Sequence, residues 1–405
     1  MWGGYFAVRP VRETIGTLLG REQTANLWIF TSIASVLIIP LYGAIVARLQ
    51  RAVFLPWTYA VVAVVLAIVG FAFRETAVDP LLGKCFYVFI SVVNMLLISM
   101  FWSFLLELFD SGQAKRLFGV IAAGGSAGAL AGPLIADLSV GSIGNSGVLF
   151  VGATLFAIAI VCQRALLRIW SESSTASAND VPVDRPIGGH LFAGVTLILR
   201  SPYLLGIALF VVMISTVSTF LYFEQLRLVE ITFPALADRT RVFARLDWIV
   251  QSLTVLSQVF LTGRIAAKFG VTALLTFLPL LMIAGFIGLS LNASFTVLAV
   301  VFVMRRAGEY AFVRPGREMI WSPLDTETKY KAKNTIDVPV YRGADALAAQ
   351  MSNGLSAAGF TTAAVALIGA ASSAVWALVG WLLGRRFEVI VAKRKDKAAS
   401  DSVSN

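Results

Sequence analysis

Histidine, cysteine and charge are all scarce in this chain of 405 residues. His190 is the single histidine, which leaves Ser/His/Asp and Cys/His catalysis and most zinc sites with little support. Cys85 and Cys162 lie far apart, each inside an apolar stretch, so neither a disulfide framework nor a cluster of metal ligands is indicated. No GxxxxGK[ST] run is present, which excludes a P-loop nucleotide hydrolase. Charged residues make up 14% of the chain, well below the quarter or so found in soluble globular domains. With no visible nucleophile, metal or acid/base constellation, neither an enzymatic activity nor a cofactor is expected.

What is present is apolar: 58% of the residues are hydrophobic, and they fall in runs long enough to cross a bilayer. Backbone groups find no water in the hydrocarbon region, so such runs read as helices. Complete spans are expected at residues 25–47, 54–73, 84–109, 117–137, 146–168, 202–224, 244–263, 270–291, 293–313, 345–361 and 363–384. Residues 1–9 are apolar but too short to span, and are read as the end of a first helix that is truncated or incomplete. The fold class expected is an all-α polytopic membrane protein, a bundle of two six-helix halves. Its parts are an N-terminal half at 1–170, a cytoplasmic linker at 171–200, a C-terminal half at 201–390 and a disordered basic and polar tail at 391–405.

The net charge of +10 would point to nucleic acid in a soluble protein, but here the cations collect between apolar spans. Membrane lipid is therefore the expected surroundings and nucleic acid is not an expected partner. The excess of Lys and Arg in alternate loops puts both termini on the cytoplasmic side of the membrane. Residues 171–189 are rich in Ser, Pro and Gly and read as a flexible connection between the halves. The halves echo each other, as in many secondary transporters: Gly43 to Arg51 corresponds to Gly263 to Gly270, and Trp102 to Arg116 to Trp321 to Lys333.

Ionisable groups within spans cost a few kcal/mol each and tend to face a partner or a cavity. Arg305 and Arg306 precede Glu309 at helical spacing, so one carboxylate answers two guanidiniums, and the surplus charge suits an anion. Arg9 and Glu13 can pair at i,i+4, which leaves Arg12 without a local partner and available to an anion or to the interface. Glu107 and Glu224, near span ends, read as gate or proton-coupling groups or as interfacial residues. Gln251, Thr254 and Gln258 recur along one helix. With Asn94, Gln350 and Asn353 they either line an aqueous path or bond neighbouring helices. Gly124, Gly128 and Gly132 share a face that would let a neighbouring backbone approach closely. The block from Arg305 to Asp345 is the densest run of charge; Arg314, Arg317, Lys329, Lys331 and Lys333 would gather an anion or lock an inner gate.

Three runs carry a family resemblance: Tyr5 to Thr14 (YFAVRPVRET), Phe101 to Gly119 (FWSFLLELFDSGQAKRLFG) and Val313 to Asp345 (VRPGREMIWSPLDTETKYKAKNTIDVPVYRGAD). In these the chain resembles the ATP/ADP (nucleotide) translocases and their bacterial relatives within the major facilitator superfamily. The resemblance implies a twelve-span permease working by alternating access and points to a nucleotide as the small anionic solute. The function expected is secondary transport of an anionic solute such as a nucleotide or phosphorylated metabolite, by exchange between two rocking halves. Arg9, Arg12, Arg305 and Arg306 are its expected contacts. Alternatives are a proton-coupled permease for an organic acid, sugar or drug, and a non-transporting membrane sensor or scaffold.

Overall fold

The structure is a computed structural model that describes residues 1–46, 51–73, 79–109, 111–173 and 193–403. Every regular element among the described residues is helical. In chain order they are α1 (Trp2–Val46), α2 (Arg51–Ala72), α3 (Pro80–Leu108), α4 (Ser111–Ser173), α5 (Ala193–Arg200), α6 (Pro202–Thr232), α7 (Leu236–Ser257), α8 (Gly263–Leu291), α9 (Phe295–Gly308), α10 (Arg314–Met319), α11 (Thr326–Thr335), α12 (Tyr341–Ala357) and α13 (Thr362–Val403). Three short π-helical segments, Gln258–Thr262, Glu309–Val313 and Ile336–Val340, join α7 to α8, α9 to α10 and α11 to α12.

Three of the long helices are each two helices meeting at one residue. α1 breaks at Gly20 (φ 76°), α4 at Gly144 (φ 66°) and α8 at Gly270 (φ 74°). A left-handed φ is open to glycine at no steric cost, so each break costs one residue and no loop. The breaks coincide with the gaps expected between neighbouring spans at 117–137 and 146–168 and next to 270–291. Across the first break the Thr24 hydroxyl donates to the carbonyl of Gly16 at 3.1 Å. Residues 2–19 form one helix, so the short apolar opening continues well past residue 9 and carries Arg9, Arg12 and Glu13 on its length.

By length and composition, six helical stretches among the described residues are apolar enough to cross a membrane, one of them containing the Gly144 break. Other expected spans are helical but carry more charge, as in the α7 run LADRTRVFARLDWIV. At the C-terminus the residues expected as a disordered tail from 391 continue α13 without a break to Val403. Nothing interrupts that helix, since the run AKRKDKAASD contains no Gly or Pro.

The chain forms two compact units. The first comprises residues 1–186 and 229–251, the second residues 187–228 and 252–405. The division differs from the expected halves: the end of α6 and most of α7 group with the first unit. The first unit packs around Val8, Val11, Ile15, Tyr59, Leu66, Phe86, Ile90 and Phe156, with Ala244 of α7 in the same core. Gly128 and Gly132 bring α4 against α1. A Cβ at Gly132 would sit 2.5 Å from the Gly3 carbonyl oxygen, and one at Gly128 would sit 2.9 Å from the Gly3 nitrogen. Gly124, expected on the same face, has open space around it instead, and Gly125 takes its place against Trp2.

The second unit buries Phe210, Ile214, Phe220, Leu278, Met282, Trp321 and Trp376. Tyr203 donates its phenolic hydroxyl to the Ile320 carbonyl at 2.7 Å, tying the start of α6 to the end of α10. The π segments also meet here. Gln258 donates its side-chain amide to the Tyr310 carbonyl at 3.2 Å, and Thr262 its hydroxyl to the Ala311 carbonyl at 2.8 Å. A π turn displaces carbonyls from their helical partners, and these two find donors on the facing segment.

Candidate functional site

Two polar clusters stand out, one in each unit. In the first unit, Arg9 on α1 faces Asp247 on α7: Nη1 lies 3.0 Å from one carboxylate oxygen and 3.1 Å from the other. The expected i,i+4 pair with Glu13 is also present, at 3.7 Å. Arg12, expected to lack a local partner, has several. It pairs with the neighbouring Glu13, donates to the Ser91 hydroxyl at 3.1 Å and lies 5.2 Å from the centre of the Tyr87 ring. The correction has a simple cause, since a long guanidinium reaches the adjacent carboxylate as readily as one a turn away. Two guanidiniums therefore meet two carboxylates, Glu13 and Asp247, and the cluster is balanced in charge.

α7 carries further links within this unit. Arg239 donates to the Thr17 hydroxyl at 2.9 Å and to the Phe233 carbonyl at 2.7 Å. Thr240 shares a hydrogen bond with Thr14 at 2.6 Å and donates to Asn145 Oδ1 at 2.6 Å. Arg245 and Trp248 both reach Asp137 on α4, at 3.2 Å and 3.0 Å. These bonds explain why residues 229–251 group with α1 and α4.

The second unit holds the charge expected around Arg305. Arg305, Arg306 and Glu309 are all buried, at 8%, 5% and 9% relative exposure, so none of the three faces lipid. Arg305 donates to Glu309 Oε2 at 2.8 Å and to the Ser218 hydroxyl on α6 at 2.6 Å. Arg306 lies over the ring of Phe302 at 5.3 Å from its centre. Glu309 is shared, because Arg314 Nε also approaches it at 3.5 Å. One turn along α6 from Ser218, Ser215 donates to Asp345 Oδ1 of α12 at 2.5 Å, and Arg342 lies 3.7 Å from the other Asp345 oxygen. Arg305 and Arg306 are thus buried together with the carboxylates of Glu309 and Asp345, while the side chains of Arg314 and Arg342 are more exposed, at 51% and 25%. The Nε of Arg305 is buried without a hydrogen-bond acceptor among the described residues.

The remaining expected residues are dispersed. Glu224 is held by Arg227 of the same helix through two hydrogen bonds, at 3.1 and 2.5 Å. Asn94 and Gln251 belong to the first unit and Gln258 and Gln350 to the second. Arg317 pairs with Asp337 at 3.6 Å and Lys333 with Glu318 at 2.5 Å, and Lys331 is half-buried on α11. Burial pushes the Asp337 carboxyl above the usual carboxylate range, against the pull of Arg317 and Lys333. The side chains of Glu107 and Lys329 lie outside the described residues. Asp247 and Asp345 were not singled out in the sequence. Their signal was available: each is a lone acid in or at the edge of an expected span, the position at which burial demands a partner.

No family model matches the chain, and no curated protein matches it by sequence. Its fold does match solved structures. The nucleoside transporter NupG superimposes with a TM-score of 0.65 at 15% identity, over 94% of this chain and 96% of that one. A bacterial homologue of the human lysosomal transporter Spinster gives 0.56 at 13% identity, over 96% of both chains. A bacterial homologue of the iron transporter ferroportin gives 0.59 at 13% identity, over 92% of this chain and 97% of that one. At such low identity these likenesses establish the fold alone, an all-α polytopic membrane bundle of major-facilitator type.

Proposed function

We propose that this protein is a bacterial inner-membrane secondary transporter, not an enzyme, and that it moves an anionic solute of the nucleotide or phosphorylated-metabolite class. The observation that carries the reading is the burial of two adjacent guanidiniums, Arg305 and Arg306, in the second unit. Charges buried in a low-dielectric interior are costly unless paired, and two adjacent guanidiniums there suit a negatively charged partner. The orphan Nε–H of Arg305 points the same way: it is a donor that a phosphate oxygen would satisfy.

The fold shared with transporters supports the transport part of the reading. The resemblance of Tyr5 to Thr14, Phe101 to Gly119 and Val313 to Asp345 to the nucleotide translocases supports the nucleotide part. A nucleoside transporter among the fold neighbours agrees with it, and the buried guanidiniums of Arg305 and Arg306 add what a phosphorylated nucleoside would require. Arg9 and Arg12 serve a different end in this reading. Their charges are already answered by Glu13 and Asp247, so they hold α1 to α7 instead of binding solute.

The test is direct. Purified protein should be stabilised against heat by ATP, ADP or inorganic phosphate, since a ligand that binds the native state raises its apparent stability. Proteoliposomes loaded with the same solute should exchange it. Absence of both effects for every phosphorylated solute, with uptake of a neutral nucleoside intact, overturns the anionic assignment.

A further inference from the structure

The paired ends of α8 and α13 carry a patch that the transport reading does not use. The two helices run antiparallel in close contact. A Cβ at Gly384 would sit 2.5 Å from the Thr272 Cα and one at Gly380 would sit 2.7 Å from the Leu275 carbonyl oxygen, while Gly369 meets Phe286 further along. At the end marked by Gly384 and the Gly270 break, the apolar runs stop and cations begin. Arg264 and Lys268 stand on α8 and Arg385 and Arg386 on α13, and all four residues are exposed. None of the four pairs with a carboxylate among the described residues. Glu388, about one turn after Arg385, is turned to α8 instead: it accepts from the Thr272 hydroxyl at 2.7 Å and lies 3.0 Å from where a Cβ on Gly270 would be.

Each helix also sets an exposed aromatic ring beside a cation. The Arg385 guanidinium lies 5.9 Å from the centre of the Trp381 ring, and the Lys268 ammonium 5.3 Å from that of Phe269. A ring face holds a cation in place without cancelling its charge. Leu378 and Leu382 are exposed on α13 as well, and with Arg385 they follow one another at i, i+4 and i+7 along one face. Apolar surface therefore leads straight up to cations whose charge is still available.

We infer that this corner, Arg264, Lys268, Arg385 and Arg386 with Trp381 and Phe269, is a binding surface for an anionic phospholipid. The phosphate takes charge-assisted hydrogen bonds from Arg385 and Lys268, and the acyl chains lie along Leu378 and Leu382. Lipid of some kind surrounds every span; selection of an acidic headgroup belongs to this corner, where exposed cations on two packed helices meet an exposed apolar ledge. A zwitterionic lipid brings its own cation to the same place and gains less. The inference stands apart from the anion reading of the Arg305 cluster, and its test needs no transported solute.

The experiment is native mass spectrometry of the purified full chain, with phosphatidylglycerol as the probe and phosphatidylcholine of the same acyl chains as the reference. The wild type should retain phosphatidylglycerol at least about tenfold better, since each cation at a membrane surface adds to the attraction for an acidic headgroup. Lys268→Gln combined with Arg385→Gln should bring the two lipids within about twofold of each other, whereas Arg385→Lys should keep most of the preference. Arg164→Gln removes an exposed cation from α4 in the other unit and should change nothing. Equal retention of the two lipids by the wild type overturns the inference. So does an equal loss of preference in Arg164→Gln, which would make the effect one of net charge alone. Inorganic phosphate that displaces phosphatidylglycerol more strongly than chloride at the same ionic strength would assign the corner to a free anion and overturn the lipid assignment. Should the double variant not fold, salt decides: the wild-type preference must weaken as sodium chloride rises, and a preference indifferent to salt sinks the inference.

Discussion

Arg9 and Asp247 are 238 positions apart in the chain, and they meet through one guanidinium nitrogen placed almost equally from both carboxylate oxygens, at 3.0 and 3.1 Å. Side-chain exposure is 18% for the arginine and 5% for the aspartate, so removing either partner leaves a charge largely shut away from water. Arg9→Ala and Asp247→Ala should each destabilise the protein by about 3 kcal/mol, since an orphaned buried charge costs more than the pair was worth. The double variant should recover a good part of that loss. Thermal unfolding in detergent of the two singles and the double provides the cycle, and strict additivity would show that the contact carries no coupling.

The α1–α4 contact separates glycines that look alike in sequence. Gly132→Ala places a methyl group 2.5 Å from the Gly3 carbonyl oxygen, where only backbone could give way, and should cost about 3 kcal/mol or prevent folding. Gly124→Ala meets nothing within 4 Å and should be neutral or slightly stabilising, because alanine is the better helix former. Melting temperatures of the two variants check the contrast.

Solute binding should distinguish the two arginine clusters. Arg305→Ala and Arg306→Ala should each weaken ATP binding at least about tenfold, close to 1.4 kcal/mol. Arg9→Ala combined with Asp247→Ala removes a balanced pair and should leave ATP affinity within about twofold, provided the protein folds. Titration of ATP by thermal shift on the three proteins reads the outcome.

Asp337 supplies a pH dependence outside the spans. Burial raises its folded pKa above the ordinary value of 3.8. The folded state therefore holds the proton more tightly than the unfolded chain. The stability gained is present in acid and is lost as pH rises through the folded pKa. Asp337→Asn cannot titrate, so between about pH 4 and neutrality its stability should fall less with rising pH than that of the wild type. Parallel melting curves across that range make the comparison.

Much of the helical plan could be read from the chain. Runs such as 202–224 and 270–291 are apolar for the full thickness of a bilayer, and that constraint leaves few alternatives to a helix. Arg305, Arg306 and Glu309 were legible for a related reason, because their spacing is local and a buried charge is conspicuous against apolar neighbours. Asp247 and Asp345 were not. Their partners, Arg9 and Ser215, come from distant helices, and no spacing rule connects residues 238 or 130 positions apart. The grouping of residues 229–251 with α1 and α4 was hidden in the same way, since it depends on hydrogen bonds such as Thr14 to Thr240 that only tertiary structure creates.

The π segment Glu309–Val313 sets the register of everything that follows it on that helix. Such a turn amounts to one residue more than an α-helix would use, and one residue corresponds to roughly 100° of rotation. Deleting a single residue there would leave a continuous helix of ordinary geometry, yet it would swing Arg314 and Arg317 away from the side on which they reach Glu309 and Asp337. The charge cluster is thus indexed to an irregularity of the backbone, and a shorter, more regular chain would lose it without losing any of its charged side chains.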